Sequence, residues 1–546
     1  MNKINFISDF FVDELIGGAE KCNDVLINLL SSNFSVNKIK SIKINPEFIK
    51  QNKDDIFIIS NFFTLSEESK KALKECYYII YEHDHKYVSN NNPAVYQDYI
   101  IPAEKLSNLD FYSNAAAVLC QSTLQSDILY KNTLLRNIVN LRGNLWSEED
   151  LKLIEENIGT EKTISNGIMK SLNKNKGTNQ AISYCHNNNI NFELIEPQEY
   201  PNFLKNLAKV DKLIFFPQWV ESYNRVMVEA RILNCKVITN SLIGVTKEEY
   251  FKLKERELLD FIRENNKVVL DNITKVIKKE FNNFYQSFKI PKLTFITSLY
   301  KGEKFIRGFL ENITNLDLFE TSELLIYDSD SPENEYEICK PFLEKYKNIK
   351  YKKLEKNYCP TEVLNFGIKD RSGQFLTTAP VDDIRDKNYL RWTIKSLLHA
   401  KDNVCLVYGN CLKTNNYNET MENNTASSLY DHSIPEFSRE NMIKSLPGPM
   451  PVWKKSVHEK IGLFDEKYRY PADWELWLRM VDSGFTFEKI NKIVGLYYFN
   501  ENGLTTSKNT EIEKIQQESE VFFKYKHIFG KNYEKFYPYF SNYRRK

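Results

Sequence analysis

The hydrophobic pattern changes period repeatedly along the chain. Short, mainly apolar runs at 4–8, 56–60, 77–81 and 116–120 alternate with stretches where apolar residues recur at helical spacing, as in Val25, Leu26, Leu29 and Leu30. Strands apolar on both faces, separated by amphipathic helices, predict a parallel, doubly wound sheet. A second αβ set starts near Thr163. It has a strand over 213–216 stopped by Pro217, Ser222 as an N-cap, and a helix carrying Val226, Ala230 and Leu233 that Asn234 ends before a strand over 236–240. This places Glu221 in the loop before the helix and Glu229 about two turns inside it. From 278 to 290 the chain is charged and aromatic with little periodicity, and Pro291 marks a boundary.

The pattern then begins again. A β-branched strand over 293–298 is followed by helical spacing in Phe305, Phe309, Leu310 and Ile313, a strand over 324–328 and another over 351–354. A helix containing 365–368 ends at Gly373, and a buried strand over 374–378 runs out at Asp382 and Asp383. The last stretch, 511–546, is predicted helical, then aromatic and basic.

Length and composition narrow the function classes. A chain of 546 residues is too long for one core, and roughly three to four compact units are expected. Hydrophobic content of 42% and aromatic content of 13% can fill those cores. Lys and Arg (74) nearly balance Asp and Glu (73), which argues against nucleic acid as the main partner. Nine scattered cysteines with no Cys-x-x-Cys suit a reducing cytoplasm. Without a signal-peptide core or a run of about 20 apolar residues, any membrane contact is expected to be peripheral, through the aromatic and basic tail.

Candidate chemistry gathers at a few places. Adjacent carboxylates at a strand end repel unless a cation lies between them and its other ligands, so Asp382 and Asp383 are candidates for holding Mg²⁺ or Mn²⁺ with a diphosphate. Gly17 and Gly18 open a helix after a strand, where backbone can approach an anion closely. His83 and His85 would share a face if their strand continued, but lack a third metal ligand, which favours a packed pair. Asp473 follows Pro471 at the start of a helix whose Trp474, Trp477 and Leu478 can pack inward. There it would be rigid, near the helix dipole and kept ionised, as a general base must be; Glu475 and Glu466 are alternatives.

Two resemblances organise these residues. Glu221 and Glu229 eight positions apart, the flanking Pro217 and Ala230, the Gly17-Gly18 turn and Lys176-Gly177 together resemble glycosyltransferase family 4, of GT-B fold. The resemblance covers about residues 1–285. It implies two Rossmann-like domains, 1–155 and 156–285, and retaining transfer without a metal. Glu221 would contact the transferred sugar and Glu229 the ribose. Lys176 and the amides of Ser222, Tyr223 and Asn224 would hold the diphosphate. The family often has glycine where Asn224 stands, and its usual arginine falls near Ser171, with Lys170 as a substitute.

From 291 to 505, the order of strand, Asp328-x-x-Ser331-Pro332 turn, Asn365-x-Gly367-Ile368 helix and strand ending in Asp382-Asp383 resembles glycosyltransferase family 2, of GT-A fold. This implies that Asp328 bonds the donor's base, with a UDP-sugar as donor. Tyr300 and Asp382 complete the donor-binding set, Asp383 is the direct metal ligand beside Asp382, and Asp473 deprotonates the acceptor. Many relatives carry a late histidine near the metal, absent here from 497–503. The expectation is an α/β protein: a GT-B-like pair of Rossmann-type domains, a GT-A-like domain and a helical tail over 506–546. It would be a bifunctional, cytoplasmic glycosyltransferase building a surface glycan on a glycan or lipid-linked acceptor. The rivals are a chain in which only the GT-A module turns over, and a sugar-nucleotide-binding protein with no turnover.

Overall fold

A computed structural model describes residues 3–15, 17–280, 290–426, 428–429, 434–501, 503, 506–507 and 510–544. Most of the charged linker and the basic end of the tail, Arg545 and Lys546, therefore lie outside the described residues. The chain divides into two compact units, 1–288 and 289–546.

The first unit contains two parallel sheets. Six strands lie in the order Ser35–Lys40, Lys3–Ser8, Ile56–Ile59, Tyr77–Tyr81, Ala117–Cys120 and Ile138–Asn140, every neighbouring pair parallel. Four more form the order Lys236–Thr239, Val210–Phe215, Ile164–Met169 and Glu193–Ile195, also parallel. The edge strand Ser35–Lys40 is mainly polar and partly exposed. The central strands of the larger sheet are mostly apolar on both faces because helices cover both, as parallel sheets require. Thus Ile4, Phe6 and Ile58 pack with Leu26 on one side of the larger sheet, while Ile7, Phe57 and Ile59 pack with Leu129 on the other. The long helix Glu255–Ile277 inserts Leu258 and Ile262 into the core of the smaller sheet and Val269 and Ile273 into that of the larger.

The second unit is built on one mixed sheet. Its order is Ile349–Lys353, Glu323–Asp328, Leu293–Leu299, Phe375–Thr378, Val452–Lys454, Val404–Thr414, Thr486–Tyr498 and Ile384–Arg385. The first four strands are parallel, and Val452–Lys454 joins Phe375–Thr378 antiparallel. Leu299 pairs with Asp328, and Ile296 with Thr378, so Tyr300, Asp328 and the segment leading to Asp382 leave the sheet at one edge. The chain reverses its direction of winding between Leu293–Leu299 and Phe375–Thr378, and a crevice at such a point is where open α/β sheets bind ligands. Two C-terminal helices, Glu511–Lys524 and Lys531–Ser541, and the turn between them pack Phe522, Phe540 and Phe529 into the core that holds Trp474 and Trp477. No described helix is long and apolar enough to cross a membrane.

Glu323 anchors the polar edge of this sheet. Burial alone would raise its carboxyl, but Lys350 at 2.7 Å, the amide and hydroxyl of Ser372 and the Thr294 hydroxyl outweigh burial and hold it at about 2. A depressed carboxyl contributes stability that is complete above its unfolded value of 4.5 and is lost as pH falls toward about 2. Urea unfolding should therefore show the second unit losing stability as pH falls from about 5 to about 2.5. Glu323→Gln should flatten that slope.

Several local expectations shift. The helix after the Glu221 loop begins at Arg225 with Asn224 as N-cap, not Ser222, because the Asn224 side chain accepts the Met227 amide at 3.2 Å. Glu229 is therefore little more than one turn inside. The strand Tyr77–Tyr81 stops before the two histidines, and both are buried: the His83 ring bonds Gln121 (2.7 Å) and Asn23 (3.2 Å), and His85 bonds the Tyr87 hydroxyl (2.9 Å). Burial pushes His83 down to about 3 and His85 to about 4, which makes them neutral packing groups.

Candidate functional site

The sheet edge of the second unit collects the donor-side candidates. Tyr300 is 42% exposed immediately after its strand. Asp328 is 3% exposed and shapes the next turn: one oxygen accepts the Ser331 amide at 2.7 Å and the other the Tyr351 hydroxyl at 2.7 Å. A carboxylate offers about four lone-pair sites, so Asp328 keeps acceptor capacity beyond these two bonds. The two turns are stitched together, since Ser331 accepts the Lys301 amide at 2.9 Å and Glu335 accepts that of Gly302 at 2.9 Å.

Asp382 and Asp383 differ in environment. Asp383, expected from sequence to bind the metal directly, is only 2% exposed, and its carboxyl is pushed well above the ordinary range by burial and by Asp382, against the pull of Arg385 and the Tyr498 amide. Asp382 is half-buried; burial raises it too, against its own amide and Lys304. The accessible carboxylate is thus Asp382, because the chain turns Asp383 inward toward the edge strand Ile384–Arg385. Two neighbouring carboxyls with raised pKa values form a hard-oxygen set that a divalent cation would hold ionised. Among the described residues, no three His, Cys, Asp or Glu side chains gather as a complete metal cage. Sequence reasoning missed Arg385, which is fully buried against Phe295 and Tyr389 and donates to the Thr378 carbonyl at 2.7 Å.

Asp473 stands in the first turn of the helix Ala472–Asp482. Its carboxyl accepts the Trp474 amide at 2.7 Å and the Ser445 hydroxyl at 3.0 Å. It keeps an opening to solvent while protein surrounds its other sides, and this desolvation raises its pKa against both hydrogen bonds. The hydrogen bonds and the helix dipole favour the ionised carboxylate expected from the sequence, and desolvation opposes them. Neither alternative base is free. Glu475 is buried, and the ties of Lys524, Tyr525 and Arg479 overcome its desolvation to lower its pKa. Glu466 accepts from the buried Asn365 at 3.0 Å.

In the first unit the structure brings Lys176 to Glu221, with contacts of 2.8 and 3.0 Å, and Asn224 to the same carboxylate at 3.3 Å. Gly177 fixes the approach. Its φ is +70°, and a Cβ there would lie 1.7 Å from the Phe216 carbonyl. Glu229 is buried, accepts the Tyr200 hydroxyl at 2.9 Å on one oxygen, and has no hydrogen-bond partner on the other. Burial raises its carboxyl against the pull of Arg225, Tyr200 and Lys21. Gly17 caps the helix Gly18–Leu30, and a Cβ on Gly18 would meet open space. The Ser222 and Tyr223 side chains turn inward instead, Ser222 to the His83 carbonyl and Gln125, and Tyr223 to the Tyr250 hydroxyl.

The family model for glycosyl transferase family 2 matches residues 294–462. The second unit carries a family 2 glycosyltransferase domain. The match spans the turn after Leu293–Leu299, the Asp328 loop and the Asp382-Asp383 pair, and ends before Asp473. Among curated proteins, an uncharacterised glycosyltransferase of Rickettsia typhi is 22% identical over 245 residues, covering 42% of this chain and 69% of the relative. A dolichyl N-acetyl-α-D-glucosaminyl phosphate 3-β-D-2,3-diacetamido-2,3-dideoxy-β-D-glucuronosyltransferase of Methanococcus voltae is 24% identical over 214 residues, covering 38% and 66%. Looser likenesses include a Pyrobaculum calidifontis mannosyltransferase in complex with GDP-Man and Mn²⁺ (18% identity, TM-score 0.35, 47% of this chain and 69% of that one). Another is S. aureus TarS in complex with UDP-GlcNAc (16% identity, TM-score 0.36, 45% and 73%). The chain is therefore an enzyme, a glycosyltransferase that uses nucleotide sugars.

Proposed function

We propose that the second unit transfers a sugar with inversion from a nucleotide donor to a glycan or lipid-linked glycan acceptor. The observation that carries this reading is the convergence of Tyr300, Asp328 and Asp382 on one strand-end crevice inside the matched domain. Asp328 accepts the imino N–H of a uracil on its remaining lone pairs, and Tyr300 flanks the nucleoside. Asp382, with Asp383 behind it, would hold Mn²⁺ or Mg²⁺, which supplies charge neutralisation to the departing diphosphate. Asp473 takes the proton from the acceptor hydroxyl as that oxygen attacks the anomeric carbon. Its raised pKa suits the role, since a base nearer the working pH drives proton transfer better than an ordinary aspartate.

For the first unit we propose a GT-B-like, retaining, metal-independent site in which Glu221 meets the donor sugar. The unpartnered oxygen of Glu229 would accept a ribose hydroxyl, and Lys176 would move from Glu221 to the diphosphate. Joining two such sites would raise the effective concentration of one product for the next, in building a surface polysaccharide on the cytoplasmic face of a membrane. The Lys176–Glu221 ion pair and the Tyr200–Glu229 bond also favour a second reading, a scaffold that no longer turns over.

Nucleoside diphosphate release from a panel of nucleotide sugars, measured for Glu221→Gln and Asp382→Asn separately, tests both units. Two working sites predict that each variant silences a different donor, by roughly 10²-fold. Unchanged release in Glu221→Gln for every donor assigns all turnover to the second unit.

A further inference from the structure

The family match ends at residue 462, before Asp473, and beyond the strand Thr486–Tyr498 lie the helices Glu511–Lys524 and Lys531–Ser541. Those helices grip the residues on either side of Asp473. The side-chain carbonyl of Gln517 accepts the backbone amides of Arg469 and Tyr470, at 2.9 and 3.3 Å. Glu513, one turn earlier, accepts the Tyr470 hydroxyl at 3.0 Å. On the other side, Glu475 takes Lys524 at 2.9 Å and the Tyr525 hydroxyl at 2.7 Å. Trp474 lies stacked near Phe529 and Phe540, and its indole N–H reaches the Met442 carbonyl at 2.7 Å. Met442 leads to Ser445, whose hydroxyl is itself bound to Asp473.

We propose that the C-terminal helix pair Glu511–Lys524 and Lys531–Ser541 is the positioning device of the acceptor base, with Gln517 as its positioning residue. This rests on the reading of Asp473 as that base. Gln517 is 9% exposed, and its carbonyl serves two amides in the turn that delivers the chain into the Asp473 helix. Two backbone donors left without an acceptor there would re-form their bonds elsewhere and swing the turn. A base held in place by such contacts loses transfer rate steeply when displaced by about 1 Å, while the donor contacts of Tyr300, Asp328 and Asp382 are left in place.

The test uses the full chain, a nucleotide sugar that it cleaves and a panel of p-nitrophenyl glycosides as acceptors. Gln517→Leu keeps the volume and removes the acceptor; Gln517→Glu keeps an acceptor oxygen. Gln517→Leu should lower kcat roughly ten- to a hundredfold with donor KM unchanged, and Gln517→Glu should restore most of it. Wild-type kcat in Gln517→Leu, or equal losses in kcat and donor KM that Gln517→Glu does not restore, overturns the proposal. If Gln517→Leu fails to fold, Tyr470→Phe decides, since it deletes only the bond to Glu513: a severalfold lower kcat supports positioning, and an unchanged one refutes it. Asp473→Asn run alongside separates the two layers. If it retains the wild-type rate, the base itself is misassigned; if it is inactive while Gln517→Leu is not, only the positioning role fails.

Discussion

Replacing Asp473 by asparagine lowers sugar transfer by roughly 10²–10⁴-fold, the usual contribution of a positioned general base, while leaving donor affinity unchanged. Asparagine preserves the shape: its side-chain oxygen can still accept the Trp474 amide while its N–H₂ donates to the Ser445 hydroxyl oxygen, so the Ala472–Asp482 helix should fold as before. The pH profile gives an independent readout. Because the base must be ionised and burial raises its pKa, the wild-type rate should climb with pH through an acid limb above the ordinary aspartate value. That limb should vanish from the residual activity of Asp473→Asn. Glu475→Gln should behave differently, unfolding more easily in urea because Lys524 and Arg479 lose a buried counter-charge.

Asp382→Asn carries the second large effect. A cation at a departing diphosphate is worth several kcal/mol, so losing its accessible ligand should cut turnover by roughly 10²–10³-fold. The loss should appear as a higher Mn²⁺ requirement, read by titrating activity with the metal. Asp383→Asn should differ in kind. Asp383 is the buried member of the pair, and burial together with Asp382 outweighs the pull of Arg385 on its carboxyl, so a neutral amide there relieves an unfavourable charge. A melting temperature that holds or rises while the metal requirement increases is expected for Asp383→Asn.

The elements that set the site were legible where the signal was periodic and local. The strands ending at Asp328 and at Thr378 are apolar runs closed by turn residues, and both were placed within a residue or two. What escaped was set by tertiary contact. Ser222 has the chemistry of an N-cap, yet the turn gives that place to Asn224 and spends the Ser222 hydroxyl on the His83 carbonyl, 139 residues away. The sequence points to Asp383 as the direct metal ligand, yet the edge strand at Ile384 turns that residue inward and leaves Asp382 the more accessible of the two. The raised pKa of Asp473 likewise depends on the density of protein around it, which no spacing reveals. Tyr200 and Tyr351, which occupy Glu229 and Asp328, come from distant segments and carry no motif.

The most direct test is a crystal of the full chain grown with Mn²⁺ and UDP. The account predicts an anomalous manganese peak within about 2.2 Å of an Asp382 carboxylate oxygen, bridging to the diphosphate, with the uracil beside Asp328 and Tyr300. Manganese and nucleotide bound together elsewhere on the second unit, with Asp382 turned to bulk water, would contradict it.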